Sequence, residues 1–130
     1  MTKRQLPPPE TIGHFEQLLL TTIMIQGGET YGVAIYDKVC ELAEKRVNLG
    51  SMYLTLDRME KKGLLSSWYS DPAKEPRGRP KRFYRLETAG FDALRESLET
   101  AKRLAEIFDA NSTAIRRWLK TRIRPLRKSA

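Results

Sequence analysis

The chain has one cysteine, Cys40, and one histidine, His14, among its 130 residues. A single cysteine excludes an intrachain disulfide, which fits a reducing compartment such as the cytoplasm. One cysteine and one histidine, far apart in sequence, also argue against a metal site. No apolar run is long enough to cross a bilayer, so no membrane span is expected. The N-terminal residues lack the apolar stretch of a signal peptide. Enzyme signatures are missing too: there is no GxxxxGK phosphate cradle, no GxGxxG dinucleotide turn and no metal-ligand cluster. A single histidine with no nucleophile motif leaves acid–base chemistry little to work with, so neither an enzyme nor a cofactor is expected. Asn111-Ser112-Thr113 spells a glycosylation sequon, which means nothing without secretion.

Acidic residues are scarce beside basic ones. Twenty-four Lys and Arg stand against sixteen Asp and Glu, giving a net charge of +8 and a pI of about 9.8. That balance favours a polyanionic partner, either nucleic acid or an acidic membrane surface. A chain of this length makes one domain plus, at most, an appended helix. It can bury a core without covalent staples.

The most informative stretch is 47–65, VNLGSMYLTLDRMEKKGLL. Asn48 and Ser51 are small oxygen-bearing residues suited to cap a helix start, and Gly63 stands where the helix should stop. At helical spacing Met52, Leu56 and Met59 form an apolar stripe that Leu64 and Leu65 extend. The opposite side carries Ser51, Leu54, Thr55, Arg58, Lys61 and Lys62. A narrow core stripe with a basic, hydroxyl-bearing outer face fits the major groove of DNA. An ordinary solvated helix carries the same pattern.

Residues 1–9, MTKRQLPPP, read as a flexible arm, because three successive prolines cannot enter a helix. A first helix is expected over 10–26. Ile12, Phe15, Leu18, Leu19, Thr22 and Ile23 share one broad face, and Leu20 and Ile25 widen it. His14 is expected at the surface, and Gly27-Gly28 ends the helix. A second helix is expected over 31–45 with Thr30 as N-cap. Val33, Ile35, Tyr36, Val39, Leu42 and Ala43 supply its apolar side, and Cys40 among them reads as a small buried hydrophobe. Residues 47–50 are then a short turn into the third helix, which makes a helix-turn-helix.

After Gly63 the period changes. Residues 64–69 and 81–86 read as two strands around the loop SDPAKEPRGRP, forming a hairpin. Lys74, Arg77, Arg79, Lys81 and Arg82 place five positive charges there against Asp71 and Glu75. An arginine-rich loop with a glycine suits a phosphate backbone or a minor groove. The bland counterpart is a solvated hairpin tip. From Thr88 onward Phe91, Leu94, Leu98, Ala101, Ala105 and Phe108 alternate steps of three and four, and Ile115 and Leu119 continue the register. Such a repeat argues for a helix pairing with another helix, so these residues are expected as dimer contacts. Leu104, Ile107 and Trp118 widen the stripe, which allows part of it to pack back on helix 1. The triplet 111–113 is the candidate break. Arg116, Arg117, Lys120, Arg122, Arg124, Arg127 and Lys128 follow with no acid among them. The expected layout is an arm at 1–9, a DNA-binding domain at 10–87, a dimerisation helix at 88–124 and a basic, frayed tail at 125–130.

Tyr31-Gly32, Gly50-Ser51-Met52-Tyr53, Leu56-Asp57-Arg58-Met59-Glu60, Gly63-Leu64-Leu65, the hairpin word GRPKRFYRL and Ala89-Gly90 follow one another at set spacings. In that order they resemble the PadR family of bacterial transcription regulators, over roughly residues 12–98. The resemblance implies a mainly α fold with a small β-hairpin: a winged helix-turn-helix plus a long C-terminal dimerisation helix. It implies a homodimer, usually a repressor, reading a palindromic operator in the bacterial cytoplasm, on the nucleoid. Carried over by position, Ser51, Tyr53, Thr55 and Arg58 fall on the recognition helix. Arg77, Arg79 and Lys81 fall on the wing. Tyr53 lies at the edge of the outer face, within reach of a phosphate only. Two positions depart from the family, which often has proline at Leu54 and threonine at Glu87. Leu54 is then a thymine-methyl contact or simply exposed, and Thr88 is expected to take over the cap of the last helix.

Three functions compete. In the first, a dimeric repressor inserts two recognition helices into successive major grooves of double-stranded DNA about 34 Å apart. Arg58, Ser51 and Thr55 read base edges, while Lys61, Lys62 and the wing arginines hold phosphates. In the second, the protein senses a small aromatic effector lodged between the helices of the dimer, lined by Phe15, Phe108 and Trp118. Aromatic residues at helical spacing are more commonly plain core. In the third, a basic helical adaptor binds an acidic protein or membrane through its tail, which leaves the wing and the outer face of the third helix without purpose.

Overall fold

The computed structural model describes residues 11–123, so the expected arm at 1–9 and the tail at 125–130 lie outside it. Its elements are α1 His14–Ile25, β1 Glu29–Tyr31, α2 Gly32–Ala43, α3 Leu49–Lys61, β2 Leu65–Tyr69, β3 Arg82–Leu86, α4 Thr88–Ala110 and α5 Ser112–Ile123. Two short 3₁₀ turns, Pro72–Lys74 and Pro76–Gly78, fill the loop between β2 and β3. The chain divides into two compact units, Met1–Ser97 and Leu98–Ala130.

The first helix starts later than its pattern predicts. Gly13 is extended and caps α1, and the Glu16 carboxylate accepts the Gly13 N–H at 2.8 Å. That bond closes the helix start three residues past Glu10's expected place. Ile12 is buried from outside the helix, while Ile25, at the helix end, is exposed. Gly27 and Gly28 then take the left-handed backbone that ends α1.

Residues 29–31, expected as the lead-in and first residue of the second helix, form a strand. β1 pairs antiparallel with β3, placing Thr30 opposite Tyr84 and Tyr31 opposite Phe83. Thr30 is therefore a buried strand residue and not the cap of α2. The sheet order is β1-β3-β2, with β3 central. α2 buries Gly32, Ile35 and Val39. Val33, 63% exposed, and Leu42 fall off that stripe, and Cys40 is only half-buried. The Val47 N–H points at the Cys40 sulfur (3.4 Å), and the Tyr36 hydroxyl donates to the Val47 carbonyl (2.9 Å), which pins the turn into α3.

α3 begins where expected: the Asn48 side chain accepts the Ser51 N–H at 2.8 Å. Its stripe of Met52, Leu56 and Met59 is wholly buried. Gly63 adopts a φ of 80°, so the Leu64 N–H folds back onto the Met59 carbonyl and the chain turns into β2. At the centre of β3 Tyr84 is fully buried and its neighbour Arg85 is exposed. One core joins Leu19, Leu20 and Ile23 of α1 to Ile35 and Val39 of α2, the α3 stripe, Tyr84, and Ala93 and Leu94 of α4. Each aliphatic side chain so buried contributes about 1.5–3 kcal/mol.

Leu94 was expected in the dimer seam and belongs to this core instead. The start of α4 also differs. Thr88 is its first residue, and the Glu87 carbonyl accepts the Phe91 N–H, so Thr88 does not serve as the cap. The Glu87 carboxylate accepts the Ser66 hydroxyl at 2.7 Å. In the second unit α4 ends at Ala110 and α5 opens at Ser112, while the Asn111 amide turns back to the Ile107 carbonyl (2.7 Å). Leu98, Ala101, Leu104, Ala105, Ile107, Phe108, Trp118 and Leu119 are exposed there, and Ile115 is half-buried.

Candidate nucleic-acid interface

The buried stripe of α3 fixes which of its residues face outward. Ser51, Leu54, Arg58, Lys61 and Lys62 are exposed, with Leu54 at 52%. Thr55 is half-buried, and its hydroxyl donates to the Ser51 carbonyl at 2.8 Å. Only its lone pairs remain for a base edge. Tyr53 is half-buried against α2: a Cβ added at Gly32 would overlap the Tyr53 hydroxyl. This explains why the two sequence words Tyr31-Gly32 and Gly50-Ser51-Met52-Tyr53 go together. The ring needs a glycine opposite it.

The loop between β2 and β3 is built by local bonds. The Asp71 carboxylate accepts the Ala73 N–H (2.9 Å) at the first turn, and Ser70 and Lys81 exchange two bonds of 2.8 Å at the base. Arg77 sits at a φ of 63°, a left-handed conformation that costs a non-glycine residue on the order of 1 kcal/mol. Arg77 and Arg79 are exposed at the tip.

The cations divide into two groups. Among the described residues, Arg58, Lys61, Arg77 and Arg79 enter no ion pair. Lys62 pairs with Glu16 of α1 at 3.3 Å. Lys81 lies 3.9 Å from Glu75, with its ammonium 4.7 Å above the Tyr31 ring. Two of the expected phosphate contacts are thus already drawn toward the protein's own groups.

Arg82, counted among the charges of the wing, turns inward as well. Its Nη2 lies 2.9 Å from Glu60 Oε1 and 3.0 Å from Asp57 Oδ1, both on α3. Nη2 and Nε also donate to the Ser67 hydroxyl of β2, at 3.1 and 3.3 Å. The Ser67 hydroxyl in turn lies 2.8 Å from both Glu60 oxygens and donates its one hydrogen to that carboxylate. Burial works to lower the Arg82 pKa, but Tyr84, Asp57 and Tyr69 around it hold it above the ordinary value. Below the guanidinium, burial pushes the Tyr84 phenol up, and Arg82, 5.0 Å over its ring, offsets only part of that. Arg82 therefore stays charged and the Tyr84 phenol stays neutral across the physiological pH range. Sequence reading missed it, although a signal was present. Asp57 and Glu60, three apart on an otherwise basic helix, repel DNA unless some cation is committed to them.

On the sheet's other face Tyr31, Phe83 and Trp68 form a row, one ring per strand. Phe83 lies 5.7 Å from Tyr31 and 5.9 Å from Trp68, and Arg85 caps Trp68 at 4.8 Å. In the first unit a groove of about 630 Å³ runs past His14, Phe15, Leu18, Lys45, Arg46 and Asn48. Phe15, expected to share a pocket with Phe108 and Trp118, lines this groove; those two are exposed residues of the second unit. Among the described residues no group of carboxylates, histidine and cysteine could hold a metal, and no helix is long and apolar enough to cross a membrane.

Comparison with known proteins follows the same lines. The family model described as the transcriptional regulator PadR-like family matches residues 19–96, more than half of the chain. Among curated proteins no relative matches. A crystal structure of a PadR family transcription regulator from Clostridium difficile is 26% identical, with a TM-score of 0.62 over 75% of this chain and 97% of that one. The fold is shared with a PadR-like transcription factor from Bacteroides fragilis (24% identity, TM-score 0.59, covering 72% and 86% of the two chains). It is shared equally with a winged-helix DNA-binding protein from STIV (13% identity, TM-score 0.60, covering 73% and 95%). The winged-helix architecture, the matched span and the words that fill it place this chain in the PadR family of transcriptional regulators, a family of regulators and not of enzymes.

Proposed function

We propose that the protein is a homodimeric repressor that reads a palindromic DNA operator. The observation that carries this reading is the distribution of uncommitted cations. Arg58 and Lys61 on α3 and Arg77 and Arg79 on the wing enter no ion pair among the described residues. Nearby cations are committed internally, and Arg82 joins the strand behind the wing to α3. In this reading α3 enters the major groove, where Arg58 donates to guanine and Ser51 and Thr55 bond base edges. The wing arginines and Lys61 hold phosphates, so affinity falls as salt rises. Lys62, Lys81 and Tyr53 support these contacts from the edge, and Leu54 meets a thymine methyl. The exposed apolar side chains of the second unit, Phe108 at 61% and Trp118 at 54% among them, supply the face for a second copy, with Phe91, Leu98 and Leu119 in the same register.

Selection of bound fragments from the native genome, at a stated salt concentration, tests the reading. The enriched fragments are expected to share an inverted repeat whose half-sites lie about one helical turn, 34–36 Å, apart. Enrichment of fragments with no common element, or with a lone half-site, contradicts it.

A further inference from the structure

The cluster around Arg82 joins the first residue of β3 to carboxylates of α3 and to the hydroxyl of Ser67 on β2. Arg82 is the first residue of β3, directly after Lys81 and three residues beyond Arg79. Its Nη2 and Nε donate to Glu60 of α3 and Ser67 of β2, and Nη2 also stands 3.0 Å from Asp57 Oδ1 of α3 as an ion pair. A planar guanidinium fork that meets several acceptors at once fixes direction as well as distance. Residues 70–81 have no other side-chain bond to α3 among the described residues. Beside the Ser67–Glu60 bond, Arg82 is the side chain that ties the start of β3 to the recognition helix.

We propose that Arg82 is a positioning residue for DNA binding: by clasping Asp57 and Glu60 of α3 together with Ser67 of β2, it holds the wing arginines in register with the recognition helix. The proposal rests on the DNA-binding reading above. A wing held at a fixed angle presents Arg77 and Arg79 to a phosphate at high effective concentration, whereas a loose wing must be ordered on every binding event.

The test is a double-mutant cycle on a mixed-sequence DNA duplex, read as affinity over a salt series. Arg82→Met is expected to weaken binding about tenfold, and to lower the salt slope by about one although Arg82 itself touches no phosphate. Arg79→Ala is expected to weaken binding about threefold to tenfold in the wild type and to add less than about twofold in the Arg82→Met background. Asp57→Asn with Glu60→Gln, added to Arg82→Met, separates position from charge: affinity is expected to stay low, since the clasp is still missing. Arg82→Lys keeps the charge without the fork and is expected to fall close to Arg82→Met; it supplies the same cycle if the methionine variant does not fold. Wild-type affinity in Arg82→Met, additive costs of the two substitutions, or full recovery on removing the carboxylates would each overturn the proposal. A wild-type protein that leaves the duplex free overturns the DNA-binding reading itself, and the clasp's role with it. That outcome is distinct from a failed cycle.

Discussion

Gly90→Ala is expected to destabilise the protein by about 3 kcal/mol, a large share of the roughly 5–15 kcal/mol that holds a domain folded. On an exposed helix the same change stabilises, because glycine costs about 1 kcal/mol relative to alanine. Here the sign reverses. Gly90 is a buried residue in the first turn of α4. A Cβ there would overlap the Leu64 carbonyl oxygen and stand 3.1 Å from the Leu64 carbonyl carbon and 2.9 Å from Leu86 Cδ1. The Leu86 methyl can rotate; the backbone cannot retreat. Leu64 is bonded through its N–H to Met59 and through its carbonyl to the Glu87 N–H, so moving it disturbs the end of α3 and the entry to α4 together. Denaturant unfolding measures the effect. A Gly90→Ala midpoint equal to or above the wild type would remove the close approach of α4 to the turn after α3.

Phe108→Glu carries the largest functional effect. Phe108 is exposed and has no part in the core of the first unit, so the winged helix is expected to fold unchanged. In the proposed dimer the same ring is buried by the partner, and a carboxylate in its place costs at least about 2 kcal/mol of association. Losing the dimer unlinks two recognition helices that otherwise bind one palindrome together. Affinity for that site then falls about a hundredfold or more. Sedimentation and DNA titration of the same variant read the two consequences. A variant that stays dimeric with unchanged DNA affinity, or a wild type that is monomeric at high concentration, contradicts the assignment of this face.

The third helix was legible because its spacing is long and consistent. Met52, Leu56 and Met59 at i, i+4 and i+7 leave one choice of buried side, and Asn48 and Gly63 mark both ends. β1 was not legible. Three residues carry no usable period, and their strand character comes from pairing with β3, more than fifty residues later in the chain. Leu94 shows a different limit. A repeat of three and four says that a side of a helix is apolar, but not which partner covers it. In α4 Leu94 on that side meets the chain's own core, while Phe91 before it and the residues after it are exposed. Arg82, Lys62 and Lys81 show the same limit for charge. Counting cations along the wing overstated those available to DNA, because Asp57, Glu60, Glu16 and Glu75 lie on other elements or across the turn. The word Ala89-Gly90 was visible as a motif, but its physical reason appears only when the Leu64 carbonyl is seen above it.

In the proposed complex α3 reads bases and the wing holds phosphates, and one comparison measures that division of labour directly. Arg58→Ala and Arg79→Ala are titrated against a fragment selected by the wild type and against a random duplex, at equal salt. Arg58→Ala is expected to lose about 1–3 kcal/mol on the selected fragment and little on random DNA, while Arg79→Ala loses the same factor on both and lowers the salt slope by about one. If Arg58→Ala binds both duplexes as the wild type does, the outer face of α3 is not the reading surface.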